Sequence, residues 1–375
     1  MRVVFTIDSF VQGGTEQSIA DLIKNFSNDI EVTVIYFYPK HELLSTFQQL
    51  NIDIIFLDLK GKYDWVKGVK KLKSVLKKLN PDLVVSSLYR SNIISRVACK
   101  MTGNILIGTF VTDSYNEARR KSFKWLGILK YQITWLVDRM TSKFTYAWIS
   151  NSKYIALQNQ KKLGVSFNRV HVIYRGRDCS SLVEWKPITS NDFIFATIGR
   201  LYENKGYIEL INAFSAVVNF YPNSKLIIYG EGPHRKQIEI IINQLNLHNY
   251  ITLAGNVSKA WLKLHEAHCF IFPSRFEGFS GALVEAMMTG IPIIASDIPM
   301  NLEAVENEKT ALIHQVKDSH DIANKMKQMI SDYDKMIEMG KRARKVAIEK
   351  FDIREIAVQY EKTLKRIVNE NQKNS

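Results

Sequence analysis

Short apolar segments alternate with longer amphipathic segments from one end of the chain to the other. This pattern is typical of α/β domains, in which helices cover parallel strands. The apolar segments predict one series of strands in the first half and a second series after it, at 3–7, 32–37, 54–57, 83–85, 105–108 and 146–149, then 193–198, 225–229, 251–253, 269–272 and 293–295. Two doubly wound domains are therefore expected.

A polar, proline-containing stretch at 184–192 separates the two series and is the predicted linker. With the boundary at Lys186, the first domain comprises residues 1–185 and the second 186–351. From Asp318 onward the pattern predicts three helices without strands. The last helix, 352–375, places Ile356, Tyr360 and Leu364 at helical spacing, so it needs an apolar surface to cover.

The length and the apolar content of the chain are sufficient for two hydrophobic cores of ordinary domain size. The chain has 375 residues, of which 46% are apolar. No apolar run approaches the ~20 residues of a membrane-spanning helix, which predicts a cytoplasmic protein. The three cysteines are far apart in sequence, which argues against a disulfide framework and against a clustered zinc site.

Positive charge is concentrated in the first domain. Residues 1–185 hold 27 Lys and Arg against 15 Asp and Glu, whereas the remainder holds 24 against 22. Such a surface could face nucleic acid, an anionic membrane or an acidic acceptor. A solvated lysine-rich face, as at 67–78, explains the same charge.

Each half opens with a strand, a glycine-containing loop and a helix. In the first, Gly13 and Gly14 precede Thr15, a predicted helix N-cap, and they would let the backbone approach a ligand; a tight turn gives the same pattern. In the second, Arg200 and Lys205 follow a strand at the edge where open α/β sheets bind ligands, which suits a diphosphate. Solvated loop cations are the alternative. The dinucleotide and Walker fingerprints are absent.

Two further glycine-containing loops follow strands in the second half. Gly230 permits another close backbone approach. The loop at 255–258, which contains Val257, could lie against a nucleotide base.

The segment FEGFSGALVEAM places Glu277 on a loop and Glu285 about one turn inside the next helix. The backbone amides between them form the donor end of that helix, which binds anions. A carboxylate accepts hydroxyl hydrogen bonds well. The amides are those of Gly278, Phe279, Ser280 and Gly281. A ligand whose phosphates bind these amides and whose sugar hydroxyls bind the two carboxylates would be a nucleotide-sugar.

The order of these segments resembles the retaining glycosyltransferases of family four, over nearly the whole chain and most strongly at 194–297. The segments are the Gly-Gly loop, IGRLYENKG, YGEGP, GNVS and FPSRFEGFSGALVEAMMTGIPIIASD. The resemblance implies the GT-B fold, an α/β architecture of two doubly wound Rossmann-like domains that face a cleft. The nucleotide would bind mainly in the second domain and the acceptor mainly in the first, with the C-terminal helix crossing back to the first domain.

The resemblance also implies roles for individual residues. Arg200 and Lys205 would contact the diphosphate, Glu285 the ribose, and Glu277 the transferred sugar together with the backbone of Gly278, Phe279 and Ser280. Gly14 would approach the diphosphate from the first domain. Transfer would proceed with retention and without a metal cofactor, because the two cations stabilise the leaving diphosphate. The one Asp-x-Asp, at 332–334, lies between two predicted tail helices.

One departure from the family pattern concerns a histidine that members usually carry in the first domain near the transferred sugar. This sequence has no histidine between His41 and His171. Asp113 is the candidate replacement, with Ser87, Arg90 and Thr112 as further polar residues of that region; helix capping is the alternative role of Asp113.

The stretch 119–140 mixes cations with large apolar residues, which is typical of an interfacial helix and equally of a domain helix whose apolar side packs inward.

The motifs, the resemblance and the charge distribution predict a cytoplasmic enzyme, peripheral on the inner face of the cell membrane. It would transfer a hexose or N-acetylhexosamine from a nucleotide-sugar, expected to be a UDP-sugar. The acceptor would be a glycan or a lipid-linked glycan in the synthesis of capsule, lipopolysaccharide or another surface polysaccharide. A nucleotide-sugar epimerase is one alternative. A nucleic-acid-binding module is another, although no aromatic-basic recognition motif supports it.

Overall fold

The structure is a computed structural model that describes residues 1–61, 64–116, 120 and 123–374. The chain divides into two compact units, of which unit 1 is Met1–Gly176 with Ile353–Ser375 and unit 2 is Arg177–Asp352. The first division therefore precedes the boundary predicted at Lys186. The physical reason is Trp185, which is 5% exposed and donates its indole N–H to the Ala267 carbonyl at 2.9 Å. This contact makes the preceding segment part of unit 2.

Unit 1 contains a seven-stranded sheet of order β3-β2-β1-β4-β5-β6-β7, with every neighbouring pair parallel. Its strands are β1 (Arg2–Ile7), β2 (Glu31–Tyr36), β3 (Asp53–Phe56), β4 (Leu83–Ser87), β5 (Leu106–Phe110), β6 (Ala147–Ser150) and β7 (Val170–Val172). The first six were predicted. The sequence pattern missed β7 because this strand has only three residues, all of them half-buried.

Helices cover both faces of this sheet, as a doubly wound unit requires. They are α1 (Gly14–Lys24), α2 (Leu44–Gln48), α3 (Trp65–Leu79), α4 (Tyr89–Thr102), α5 (Trp125–Ser142) and α6 (Lys153–Leu163). Of the stretch predicted at 119–140, Arg119, Lys121 and Ser122 lie outside the described residues. The expectation that its apolar side packs inward is wrong, since Trp125 is 73% exposed.

Unit 2 contains a six-stranded parallel sheet of order β10-β9-β8-β11-β12-β13. Its strands are β8 (Phe193–Ile198), β9 (Ser224–Tyr229), β10 (Ile251–Gly255), β11 (Cys269–Phe272), β12 (Ile293–Ser296) and β13 (Leu312–His314). The helices are α7 (Tyr207–Val218), α8 (Arg235–Gln244), α9 (Gly281–Thr289), α10 (Pro299–Leu302), α11 (Ser319–Ser331) and α12 (Tyr333–Phe351). The short strand β13 was not predicted.

The last helix, α13 (Ile353–Asn374), belongs to unit 1 and confirms the expectation that it returns to the first domain. Ile356, Tyr360 and Leu364 are buried in the same apolar cluster as Phe5 and Ile19. On the same helix, the buried carboxylate of Glu361 accepts hydrogen bonds from the backbone N–H and the hydroxyl of Ser27, at 2.5 and 2.8 Å. The apolar side of α13 thus packs against the core of unit 1, as its sequence pattern predicts.

A buried ion pair fixes α5 to the rest of unit 1. The Arg96 guanidinium on α4 is 1% exposed and lies 2.5 Å from Oδ1 of Asp138 on α5. The Tyr115 hydroxyl donates to the other carboxylate oxygen at 2.5 Å, and the guanidinium lies 4.9 Å from the Trp148 ring centroid. Burial and the adjacent Asp138 carboxylate raise the pKa of the Tyr115 hydroxyl, which therefore acts as a donor.

Replacing Asp138 by alanine should lower the free energy of unfolding of unit 1 by about 3–5 kcal/mol, because the Arg96 charge would remain buried without its partner. The double variant Arg96→Met/Asp138→Leu should recover most of this loss. Calorimetry of the full chain, resolved into the transitions of the two units, measures both effects. If Asp138→Ala lowered the free energy of unfolding by less than about 1 kcal/mol, Asp138 would not be the essential partner of a buried Arg96 charge.

Candidate active site

The sheet of unit 2 changes direction between β8 and β11. These strands are neighbours and pair in parallel, while the chain runs from β8 to β9 on one side and from β11 to β12 on the other. After these two strands the chain therefore continues towards opposite edges of the sheet. Open α/β sheets bind ligands at the carboxyl ends of the strands at such a point. Arg200 follows β8, and Glu277 lies in the loop after β11, so two of the predicted residues lie at this point.

The two loops are bonded to each other. The Arg275 backbone N–H donates to the Asn204 carbonyl at 2.8 Å, and the Asn204 amide donates to the Phe276 carbonyl at 3.2 Å. Gly206 has φ +71°, and a β-carbon there would overlap the Pro273 carbonyl. Only glycine allows this close approach of the two backbones.

This packing brings Lys205 and Glu277 into contact. The Lys205 Nζ lies 2.5 Å from Glu277 Oε1, and the two side chains are only 17% and 13% exposed. The sequence predicted each residue as a separate contact to a ligand. The structure adds that they form a partly buried ion pair.

Arg200 has a different environment from Lys205. Its side chain is exposed, and its guanidinium lies 5.1 Å from the centroid of the Tyr202 ring. Such stacking holds a guanidinium without neutralising its charge. The two predicted diphosphate contacts thus differ, since Lys205 is paired with a carboxylate and Arg200 is stacked on an aromatic ring.

Helix α9 begins where the sequence predicts. Ser280 is its N-cap, and its hydroxyl accepts the Leu283 backbone N–H at 3.4 Å. The amides before Leu283 belong to the donor end of the helix. Phe279 is 1% exposed and packs against Phe351 with ring centroids 5.2 Å apart, so it offers a ligand only its backbone. Gly278 is half-buried beside it.

Sequence reasoning missed Arg177, which contacts the second glutamate. Arg177 Nε donates to Glu285 Oε1 at 2.6 Å, with side chains 12% and 22% exposed. A β-carbon on Gly281 would overlap the guanidinium, so this cation lies across the first turn of α9. The available signal was the pair of arginines around Gly176, directly after the missed strand β7.

The electrostatics of this turn favour an anion. A helix N-terminus carries partial positive charge, and a cation beside it is unfavourable unless negative charge is present. Glu285 supplies one negative charge to Arg177, and Glu277 supplies one to Lys205. Each of these two cations is thus balanced by one carboxylate at a donor-rich helix end, and Arg200 is an exposed cation on the adjoining loop after β8.

Gly230 lies in the loop after β9, where the backbone passes close to the end of β8. It has φ +145°, and a β-carbon there would overlap the Gly199 carbonyl. Its N–H donates to the Gly255 carbonyl at 2.7 Å, which ties the loop after β9 to the end of β10. Val257 is half-buried in the loop that follows β10, at the same edge of the sheet.

In unit 1, Gly14 is the first residue of α1, and Gly13 is its N-cap. The prediction of Thr15 as the N-cap is therefore wrong, because the helix starts two residues earlier than that prediction requires. Glycine fits at 13 since a β-carbon would overlap the Glu16 carboxylate. An Arg175 Nη lies 3.4 Å from where a β-carbon of Gly14 would be, which brings a cation to the start of this helix.

Asp113 lies in a buried turn. It is 3% exposed, and its Oδ1 accepts the Tyr115 N–H at 3.1 Å, a bond within a turn rather than at a helix start. Burial raises the pKa of this carboxyl, while the Tyr115 hydrogen bond and the charge of Lys162 oppose the rise. Its predicted catalytic role stays a prediction.

A small cavity of about 90 Å³ lies within unit 1, at the carboxyl ends of β4, β5 and β6 and beneath α1 and α13. Its lining is mainly apolar. The polar groups that line it are Thr15, Ser18, Ser87, Thr109, Asn151 and Arg175. Of the predicted first-domain residues, Ser87 is thus part of a cavity wall, where it accepts the Thr109 hydroxyl at 2.9 Å.

Asp8 is a second polar residue that sequence reasoning missed. It follows β1, and its Oδ1 accepts the Ser91 N–H at 2.8 Å in the first turn of α4. Burial raises its pKa, and the nearby Arg90 opposes the rise. Arg90 also lies over the Tyr38 ring, at 5.1 Å from the centroid. The signal was the position of Asp8 directly after a predicted strand.

The described residues include no group of three or more His, Cys, Asp or Glu side chains placed to hold a metal ion. Asp332 precedes α12, and Asp334 lies in its first turn. Metal independence stays a prediction. None of the described helices combines the length and the apolar character that crossing a bilayer requires.

Two family descriptions match the chain. Residues 12–181 match Glycosyltransferase Family 4, and residues 183–346 match Glycosyl transferases group 1. An Escherichia coli relative, UDP-Gal:alpha-D-GlcNAc-diphosphoundecaprenol alpha-1,3-galactosyltransferase, is 25% identical over 77% of this chain and 76% of its own length. A Campylobacter jejuni relative, N-acetylgalactosamine-N,N'-diacetylbacillosaminyl-diphospho-undecaprenol 4-alpha-N-acetylgalactosaminyltransferase, is 23% identical over 94% and 96%.

Among solved structures, Anabaena HepE in complex with UDP and glucose superposes with a TM-score of 0.84 at 20% identity, covering 98% of this chain and 100% of that chain. Similarity at this level of identity shows the fold. It confirms the predicted fold class of two parallel-sheet α/β domains.

Gly230 offers a test of the backbone approach at this site. Gly230→Ala should destabilise unit 2 by roughly 2–3 kcal/mol more than Gly255→Ala, because only the first substitution places a methyl group against a backbone carbonyl. Gly255 is a matched control, since its φ is also positive, at +74°, but its nearest neighbour is a carboxylate oxygen of Glu231 at 3.3 Å. Urea unfolding measures both, and equal losses would contradict the close approach.

Proposed function

We propose that this chain, which belongs to the family-four glycosyltransferases and has the GT-B fold, transfers a hexose or N-acetylhexosamine with retention from a UDP-sugar. The acceptor is a glycan or a lipid-linked glycan in surface polysaccharide biosynthesis. The observation that carries the proposal is the pair of ion contacts, Lys205 with Glu277 and Arg177 with Glu285, at the N-terminal end of α9.

The diphosphate of the donor binds this end of the helix. Its negative charge interacts favourably with the partial positive charge of the helix end, and the amides before Leu283 donate to its oxygens. Lys205 is positioned by a carboxylate rather than free in solvent, so it loses little side-chain entropy when it meets a phosphate. Arg200, which stacks on Tyr202, adds a second cation.

The two carboxylates bind the hydroxyl groups of the donor. An ionised carboxylate has about four lone-pair sites, so the contact from Arg177 to one oxygen of Glu285 does not exhaust its capacity. Glu285 accepts the ribose hydroxyls, and Glu277 accepts those of the transferred sugar. Lys205 and Arg177 then each contact both a carboxylate and the donor, which fixes the donor relative to α9.

In the transfer step the bond between the sugar C1 and the diphosphate oxygen breaks, and the acceptor oxygen bonds to C1 on the same face. Negative charge grows on the leaving diphosphate, and Lys205, Arg200 and Arg177 stabilise it because they are already in place. The acceptor hydroxyl gives up its proton to the departing diphosphate oxygen, which has gained negative charge. Asp113 is our candidate for the position of the family histidine, a buried carboxyl group whose pKa is raised by burial.

We place the reaction at the inner face of the cell membrane, with a polyprenyl-diphosphate-linked glycan as acceptor. Support comes from the names of the Escherichia coli and Campylobacter jejuni relatives, both of which specify a diphosphoundecaprenol-linked acceptor. The positive charge of residues 1–185 suits an anionic acceptor and an anionic membrane. No metal takes part in the proposed step.

Lys205→Ala should lower the rate of sugar transfer by about 10²–10³-fold, the usual cost of removing one preorganised donor to a developing negative charge. Glu285→Ala should abolish transfer through loss of donor binding. Lys263→Ala is the matched control, because Lys263 forms an exposed pair with Glu266 at 2.6 Å in the same unit. Radiolabelled transfer to a membrane extract measures the rates, and circular dichroism verifies the fold.

Wild-type rates in both Lys205→Ala and Glu285→Ala would overturn the proposed site. Turnover of the donor into an epimeric UDP-sugar without any acceptor would instead identify an epimerase.

Arg177→Gln separates contact with the diphosphate from contact with the ribose carboxylate. If Arg177 faces the diphosphate, calorimetry should show an affinity for UDP at least about tenfold weaker, with the affinity for uridine little changed. An equal loss for both ligands would limit Arg177 to positioning Glu285. Unchanged affinity for UDP would exclude a role for Arg177 in donor binding.

A further inference from the structure

Helix α5 exposes an apolar surface that the proposed chemistry does not use. Successive residues of a helix are about 100° apart, so these side chains fall within an arc of roughly 100°. All are between about half and three-quarters exposed. We call them the α5 stripe: Trp125 at 73%, Leu126 at 62%, Leu129 at 50%, Ile133 at 56%, Leu136 at 49% and Met140 at 58%.

The opposite face of α5 is fixed to unit 1 by polar contacts. Asp138 forms the buried pair with Arg96, and the Trp135 indole donates to the Lys162 carbonyl at 2.9 Å. Ser142 is 4% exposed, and its hydroxyl donates to the Leu163 carbonyl at the end of α6 at 3.4 Å. Turning the stripe inward would break these contacts, so the fold holds the stripe at the surface.

Within α5 and its described flanking residues 123, 124 and 143, cations border the stripe and acids do not. By helical geometry, Lys130 and Arg139 lie on opposite sides, each about 90° from its centre, and both are exposed. Lys124 and Lys143 are exposed just before and after the helix. The one acidic residue of α5 is Asp138, which faces the interior. An apolar face with cationic edges matches the boundary between headgroups and acyl chains of an anionic bilayer.

We infer that α5 is the membrane-docking surface of this protein. The helix lies flat on an anionic phospholipid bilayer, with the α5 stripe inserted among the acyl chains and the lysines and Arg139 at the level of the phosphates. Its 18 residues correspond to a length of about 27 Å along the bilayer surface. The inference rests on the proposed function insofar as a lipid-linked acceptor requires an enzyme at the membrane.

Charge complementarity favours a bilayer over a second copy of the chain. In a symmetric dimer the same patch lies on both sides of the interface. The cations that border one stripe would then meet a face without carboxylates. An anionic bilayer supplies phosphates along both edges at once.

The test uses the full chain and vesicles made of phosphatidylcholine with or without phosphatidylglycerol. The wild-type protein should cosediment with the anionic vesicles, with at least about tenfold weaker binding to phosphatidylcholine alone and weaker binding at high salt. Fluorescence quenching by brominated lipid should reach Trp125. Absence of cosedimentation with anionic vesicles would overturn the inference.

Leu129→Ser/Ile133→Ser should weaken vesicle binding by about tenfold or more, because two inserted side chains are lost. Leu302→Ser/Ile240→Ser is a matched control with the same residue types and the same exposed fractions, 50% and 56%. An equal effect of both pairs would refute docking through α5. A dimer that depends on Leu129 and Ile133, without vesicle binding, would assign the stripe to a second copy.

Two readouts separate this inference from the proposed function. The Leu129→Ser/Ile133→Ser variant should keep the wild-type affinity for UDP, since these residues lie in unit 1 and far in sequence from α9. If the wild type binds anionic vesicles but not UDP or a UDP-sugar, the proposed function fails while docking stands. If it binds UDP and transfers sugar but ignores vesicles, only the docking inference fails.

Discussion

The electrostatics at the start of α9 shape the candidate site. A helix N-terminus already carries partial positive charge, yet Arg177 lies across this turn, where a side chain on Gly281 would have stood. Such an arrangement is stable only with compensating negative charge, and Glu285 provides part of it. Lys205 and Glu277 repeat the same balance on the adjoining loop. The paired charges are thus balanced within the protein, and the backbone donors of the helix end are left for an anionic ligand, with the exposed Arg200 on the adjoining loop.

Backbone geometry brings these charges together. Gly206 and Gly230 allow the loops after β8, β9 and β11 to touch through their main chains, and Asn204 bonds across to the β11 loop. Because the strands beneath are parallel neighbours at the point where the sheet changes direction, the loops meet at one edge. The charged side chains are therefore held by main-chain contacts.

Much of this organisation was predictable from sequence, because buried parallel strands are continuous apolar runs and site residues follow them directly. The placement of Lys205 after β8, and of Glu277 and Ser280 after β11, was predicted in this way. Arg177 was not, since it precedes its partner Glu285 by 108 positions and follows a strand of three half-buried residues. The sequence also could not predict which side of α5 faces the interior, because its apolar residues have the same spacing as those of a core helix. The orientation is determined by the buried ion pair between Arg96 and Asp138, which are distant in sequence.

The position of α13 also bears on how the protein is made. Residues of this final helix complete the apolar cluster of unit 1, next to β1 and α1, while all of unit 2 lies between them in the sequence. As the chain emerges from the ribosome, the surface beneath α13 stays uncovered throughout the synthesis of unit 2. Unit 2, which is continuous, can fold during translation. Unit 1 can be completed only after α13 itself has been synthesised and has left the ribosome.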